Sequence, residues 1–235
     1  METVYELLAD LPDEAALREP PASLSSRDVR ATAYKVGNYL RSRGVHEGSR
    51  VGVADDADPK VVLAFLGSAL LAAPVTFAPP GRFDGRAVVA PTESLDGFDL
   101  GPGGQRVGYG AKPADPADGH FEGGVWSENP AFPPVRYGGD VPALANVDAG
   151  DDGDGPSQRA LLDAAADVAA GLDADDALAV RASFTRPGTV VGVLGALRAG
   201  ATVLLPDAEA TGTVALADDE GDAPESTVYR PEELF

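Results

Sequence analysis

Two similar βαβ-containing halves, with a mainly parallel sheet covered by helices, are the α/β architecture this sequence predicts. The first observation behind it is alternation. Short apolar runs suited to strands are separated by longer segments with helical spacing, the pattern of βαβ units. The second is an internal repeat. Residues 59–77 align without a gap on 187–205 at a constant shift of 128, matching Pro59 to Pro187, Val62 to Val190, Leu66 to Leu194, Gly67 to Gly195, Ala73 to Ala201 and Val75 to Val203. The third is a hydrophobic content of 44%, laid out in periodic segments, which sets the chain apart from an acidic disordered one.

The elements follow in order. Ser25 or Ser26 with Asp28 forms a capping signal, and Val29, Ala33, Val36 and Leu40 then follow helical spacing until Gly44 closes the helix. A strand at 51–54 runs into Asp58-Pro59, a cap followed by a proline fit for the first helical position. The helix after it carries Val61, Val62, Phe65, Leu66, Ala69 and Leu70, and 74–77 reads as the next strand. The second copy repeats the order: a Ser157-capped helix with Leu161, Leu162, Ala165, Val168 and Ala169, a strand at 177–180, a helix over 187–199 and a strand at 202–205.

Between the copies Gly and Pro are dense. Only 86–90 and 106–109 read as strands there, and the stretch 111–118 has too little apolar surface to offset its ordering entropy. The expectation is a long surface excursion. After Pro206, two further strands are predicted at 213–217 and 226–230. The chain is thus expected to be one compact α/β unit over 1–235, with a first repeat at about 24–80, a Gly/Pro-rich middle at about 81–141, a second repeat at about 142–207 and C-terminal strands at about 208–235.

Charge narrows the setting. Thirty-eight Asp plus Glu oppose 18 Lys plus Arg, a formal charge of −20, and only Lys35, Lys60 and Lys112 are lysines. Such self-repulsion opposes a compact state in dilute buffer, but the Debye length falls to about 3 Å at 1 M salt. The composition therefore reads as that of a halophile's protein, haloarchaeal in origin. Nucleic acid is excluded as a partner by the same charge. With no cysteine, disulfides, thiolate nucleophiles and Cys-ligated zinc are excluded. The acidic start of the chain lacks the basic region of a signal peptide, and no apolar run approaches the roughly 18 residues of a membrane span. A cytoplasmic location without membrane contact is the expectation.

Few residues suggest chemistry. His46 lies in a Gly-Val-x-x-Gly turn and reads as a surface residue; His120 sits beside Phe121 with Ser127 nearby, but no Gly-x-Ser-x-Gly supports a hydrolase. Asp148, Asp151, Asp152 and Asp154 could offer oxygens to a divalent cation, yet their spacing fails the EF-hand pattern, so no metal site is assigned. The run Asp218-Asp219-Glu220-Gly-Asp222 reads as a solvated face. Tyr5, Tyr34, Tyr39 and Trp126 read as packing residues.

Two stretches carry a resemblance. Arg41-Ser-Arg-Gly44-Val45-His-Glu-Gly48-Ser-Arg50-Val51, followed by 62–75, resembles the opening of the AMP-binding acyl-CoA synthetase (adenylate-forming, ANL) superfamily, with Ser49 in place of that family's Asp and Ala72 in place of its Gly. Asp140-Val-Pro-Ala143-Leu144, the acidic loop at 147–157 and residues 159–207, with Gly200-Ala-Thr-Val203, resemble its next stretch. The resemblance implies part of the N-terminal domain of such an enzyme and covers less than half of a complete family member.

What it implies for activity turns on the phosphate loop. The family reads Thr-Ser-Gly-Thr-Thr-Gly, then x-Pro-Lys-Gly; here Gly150 and Gly153 keep glycines, while Ala149, Asp151 and Asp152 take the hydroxyl positions and no Lys follows. A carboxylate about 4 Å from a phosphate charge costs roughly 1 kcal/mol in bulk-water dielectric and about 4 at an effective constant of 20. Ser183-Phe184-Thr185 keeps the family's aromatic but lacks its His, and nothing beyond Pro206 resembles the adenine, ribose or hinge motifs or the catalytic Lys. The degenerate loop positions Ala149, Gly150, Asp151, Asp152 and Gly153 are therefore expected not to cradle ATP-Mg, no catalytic residue is assigned and no cofactor is expected. The leading expectation is a pseudoenzyme acting as a binding, regulatory or interaction module. Alternatives are a subunit of a split AMP-forming ligase and a small-molecule binder at the C-terminal ends of the parallel strands. A homodimer or a second protein chain is the expected partner.

Overall fold

Local signals place the helices. In a computed structural model, which describes residues 1–145, 155–206, 210–219, 221 and 223–235, Ser25 accepts from the Asp28 N–H and Asp28 answers at the cap. Asp58 accepts from the Lys60 N–H with Pro59 in the first turn, and Ser157 accepts from the Ala160 N–H. In chain order the elements are α1 (Val4–Ala9), β1 (Ala16–Glu19), β2 (Ala22–Ser25), α2 (Ser26–Ser42), β3 (Val51–Val53), α3 (Pro59–Ala69), β4 (Val75–Phe77), β5 (Arg82–Phe83), β6 (Ala87–Pro91), β7 (Asp99–Leu100), β8 (Gln105–Tyr109), β9 (Gly119–His120) and α4 (Phe121–Trp126). They continue as α5 (Gln158–Ala170), β10 (Ala177–Val180), α6 (Pro187–Ala199), β11 (Thr202–Leu204), β12 (Val214–Leu216), β13 (Val228–Tyr229) and α7 (Pro231–Leu234).

Each half builds its own sheet. The first has the strand order β4-β3-β6-β8-β9 and the second β13-β12-β10-β11-β1-β2; every pairing is parallel except β1 with β2. The core orders β4-β3-β6-β8 and β11-β10-β12-β13 are the same path traced twice. The register preserves the repeat, since Gly52 pairs with Val88 and Val180 with Leu216, both partners displaced by 128.

The middle segment departs from the surface excursion its composition suggests. Val88, Val89 and Ala90 are fully buried, and β6 and β8 are interior strands. Short apolar runs suffice there because β3 offers a ready parallel partner. Also beyond the sequence reading, the N-terminal hairpin of β1 and β2 extends the second half's sheet, with Ala16, Leu17 and Arg18 set beside Thr202, Val203 and Leu204.

Paired helices cover the sheets at glycines that permit close approach. A Cβ on Gly67 of α3 would lie 2.5 Å from Val36 of α2, and one on Gly195 of α6 would lie 2.6 Å from Val168 of α5. One apolar core runs through both halves, and a smaller cluster of Phe83, Val88, Ala90 and Leu95 sits under the middle segment. Tyr5, Tyr34 and Phe132 stack in series, whereas Trp126 is 82% exposed beneath Lys35. No helix among the described residues is long and apolar enough to cross a membrane.

Candidate functional site

The turns that follow β3 and β10 occupy equivalent places in the two halves, and they meet. Asp55 and Ser183 are separated by the repeat shift of 128, and the Ser183 hydroxyl donates to Asp55 Oδ2 at 2.6 Å. The Phe184 N–H donates to the other carboxylate oxygen at 2.7 Å. Ser183 thus spends its single proton on Asp55, so in its contact with Thr185 it accepts the threonine hydroxyl, as it accepts the Thr185 N–H at 3.1 Å. Phe184 stacks on Phe77 with ring centroids 5.3 Å apart. Polar and aromatic contacts together lock the halves at this seam.

Above the seam lies a crevice of about 550 Å³, floored by the C-terminal ends of β3 and β10 and lined by Asp55, Asp56, Ser183, Phe184, Pro206 and Asp218, with Arg181 at one side. This is where open α/β sheets present strand ends to ligands. Tyr109 donates to Asp56 from β8, and its phenol is held far above the usual range, first by burial and then by the bond to Asp56. Lys60, at the start of α3, is held by Asp58 at 2.9 Å.

Arg181 is already committed. Its Nε and Nη2 reach the two oxygens of Glu225 at 2.9 and 2.7 Å, a fork on a carboxylate whose side chain has no solvent exposure. Burial alone would push Glu225 up; the Arg181 fork and the Gly212 N–H at 2.9 Å outweigh it and hold the carboxyl below its ordinary value. Arg186 lies 3.7 Å from Asp218. Among the described residues no Lys or His lines the crevice. Its chemistry is acceptance of hydrogen bonds and positive charge. Among the described residues no imidazole lines the crevice to take the Ser183 proton.

The degenerate loop positions Ala149, Gly150, Asp151, Asp152 and Gly153 lie outside the described residues, as do Asp148 and Asp154. The flanks of that loop are anchored beside β4: Leu144 bridges Val75, the Ala145 N–H donates to the Val75 carbonyl at 2.9 Å, and Pro142 pairs with Ser157. His46 is exposed and contacts the Glu47 carbonyl; His120 faces Glu122 at 3.1 Å, while the Ser127 hydroxyl bonds to the Gly124 carbonyl. No triad forms there. Among the described residues no three His, Asp or Glu side chains gather as a metal site. The Asp55–Ser183 pair was missed by motif reading, although the repeat shift places the two residues at equivalent turns.

The strand path and paired helices match known structures. An anthranilate CoA ligase, AuaEII, crystallised with anthranoyl-AMP, superposes with a TM-score of 0.74 at 19% identity over 91% of this chain and 49% of that one. The fold is that of about half of an acyl-CoA synthetase chain. A Brucella canis acyl-CoA synthetase gives a TM-score of 0.69 at 19% identity over 89% of this chain and 44% of its own. The luciferase-like enzyme of the nonluminescent mealworm Zophobas morio gives 0.71 at 14% identity over 92% and 58%. The chain spans about half the length of these synthetase-fold proteins. No protein-family profile matches the sequence, and no curated protein matches it.

Proposed function

We propose that this chain is an acyl-CoA-synthetase-like protein that does not adenylate and serves as a binding module, its crevice taking a small polar ligand that is neutral or cationic. The observation that carries this reading is the charge of the crevice. Among the described residues, Asp55, Asp56 and Asp218 face it, and the one cation lining it, Arg181, is forked to buried Glu225. A polyphosphate there would meet carboxylates with no free cation among the described lining residues to offset them, a repulsion of about 1 to 4 kcal/mol per close pair. The acidic residues Asp151 and Asp152, where the family's hydroxyls would stand, support the same reading.

The test is thermal unfolding in roughly 2–3 M KCl, where charge screening is nearly complete, with Mg-ATP, AMP, CoA and an acyl-adenylate mimic, alongside pyrophosphate exchange over a panel of carboxylic acids. A ligand at a hundredfold excess over its Kd adds about 2.7 kcal/mol, enough to raise Tm by about 5 °C or more in a chain this size. The expected result is no nucleotide-dependent shift and no exchange. Exchange with any carboxylic acid would overturn the proposal. A second reading, a subunit of a split AMP-forming ligase, draws on the 49% and 44% of the two synthetase chains covered. Stabilisation by Mg-ATP without exchange would favour it.

A further inference from the structure

A second cavity, of about 470 Å³, opens at the other end of the first sheet, where α2 runs out beside the starts of β6 and β8. We propose that it binds a small phosphate-bearing anion between Arg43 and Arg86.

The arginines of this chain differ in how their charge is met. Arg106, Arg159, Arg181, Arg186 and Arg230 each have a carboxylate within ion-pair distance. Among the described residues Arg43 and Arg86 have none, which is also true of Arg18, Arg41 and Arg198, but Arg43 and Arg86 line one cavity together in a chain whose acids outnumber its cations 38 to 18. Arg43 donates to Gln105 Oε1 at 3.2 Å and stacks over the Tyr39 ring at 4.8 Å, which fixes its plane. The Arg86 guanidinium makes no hydrogen bond to a described residue, and the Nε atoms of both side chains are buried without a protein acceptor. Both line the cavity with Gln105, Tyr39 and Ser42. Among the described residues Glu128 is the single carboxylate in the lining, and no ion pair joins it to either arginine. Two like charges facing one cavity repel each other, and an anion between them removes that cost. Guanidinium forks match phosphate oxygens in geometry as well as charge.

The backbone makes room for these side chains. Gly44, at φ +83°, would place a Cβ 2.2 Å from Arg86 Nη2, and Gly103, at φ +86°, would place one 2.8 Å from Nη1. A Cβ on Gly119 would lie 2.7 Å from Arg43 Cζ. The second half shows that the fold itself does not need the cations. Arg43 caps α2 as Gly171 caps α5, and at the repeat shift of 128 Arg86 corresponds to Val214. The same corner closes there without an arginine at either position.

The anion's source is either free inorganic phosphate or the phosphoryl end of a small phosphomonoester. Calorimetric titration of the full chain in roughly 1 M KCl, with inorganic phosphate and glycerol 3-phosphate as separate titrants, distinguishes them: preference for the second assigns the ester, preference for the first the free ion. R86Q and R43Q are each expected to weaken binding by about tenfold or more, the scale of one lost charge-assisted hydrogen bond. R86K, which keeps the charge without the fork, should fall between. R27Q, on the exposed first turn of α2, should bind as the parent does. Unchanged affinity in folded R86Q would overturn the proposal. So would the absence of heat and of any Tm shift in the parent chain at about 10 mM of either titrant, well above a millimolar Kd, a result that stands even where a variant fails to fold.

Discussion

The two halves trace one path with different chemistry at its turns. Helix, strand, helix and strand recur in the same order, and the β3–β6 and β10–β12 registers agree after the shift of 128. The turn after β3 presents Asp55 and Asp56, whereas the turn after β10 presents Arg181, Ser183 and Phe184. Because the turns are unlike, they complement each other: a carboxylate from one half accepts the hydroxyl and N–H of the other. The repeated parts are apolar and set the frame. The parts that diverged build the seam, the crevice and the arginine-lined cavity.

The largest expected effect lies in the second half alone. Arg181→Met leaves the Glu225 carboxylate buried without its fork and should cost about 3–5 kcal/mol in urea unfolding at molar KCl. Glu225 is held below its ordinary 4.5 in the folded protein, so its stabilisation is present above that value and is lost as pH falls through the folded pKa. The variant should lack this acid-side loss. Equal stability of variant and parent would mean that the fork does not hold the strand ends of this half.

A direct test of equivalence comes from the paired glycines. Gly67→Ala and Gly195→Ala each force a methyl into a contact already within 2.6 Å of the partner helix, and each should destabilise by about 1–3 kcal/mol. Denaturant midpoints that move for one and not the other would show that the halves differ in helix packing as well as in their turns. The smallest effect probes the seam. A double-mutant cycle of Asp55→Ala and Ser183→Ala should give a coupling of about 1 kcal/mol; none would mean that the halves are joined by apolar packing alone.

Much of the frame was legible along the chain. Caps at Ser25, Asp58 and Ser157, the prolines at 59 and 187 and the apolar periodicity act within a few residues, so they announce α2, α3, α5 and α6. β1 was not legible. Ala-Leu-Arg-Glu has no strand pattern of its own and becomes extended because β11 offers it a parallel edge. In the middle segment the strands at 86–90 and 106–109 are legible but their interior place is not: Gly and Pro density describes the loops, while the five residues of β6 fill the place beside β3.

The sequence by itself therefore determined the four long helices, most strands and the repeated α/β order, because capping, helical period and parallel-strand runs are short-range properties. It also determined the acid excess that shapes every electrostatic argument about ligands. Tertiary structure alone decided which turns meet. Asp55 joins Ser183 across 128 residues, Arg181 finds Glu225 across 44, and Arg43 and Arg86 come to line one cavity from a helix end and a strand start. The first pairing follows from how two sheets dock and the other two from how elements pack within one half, and both depend on contacts that no local pattern encodes.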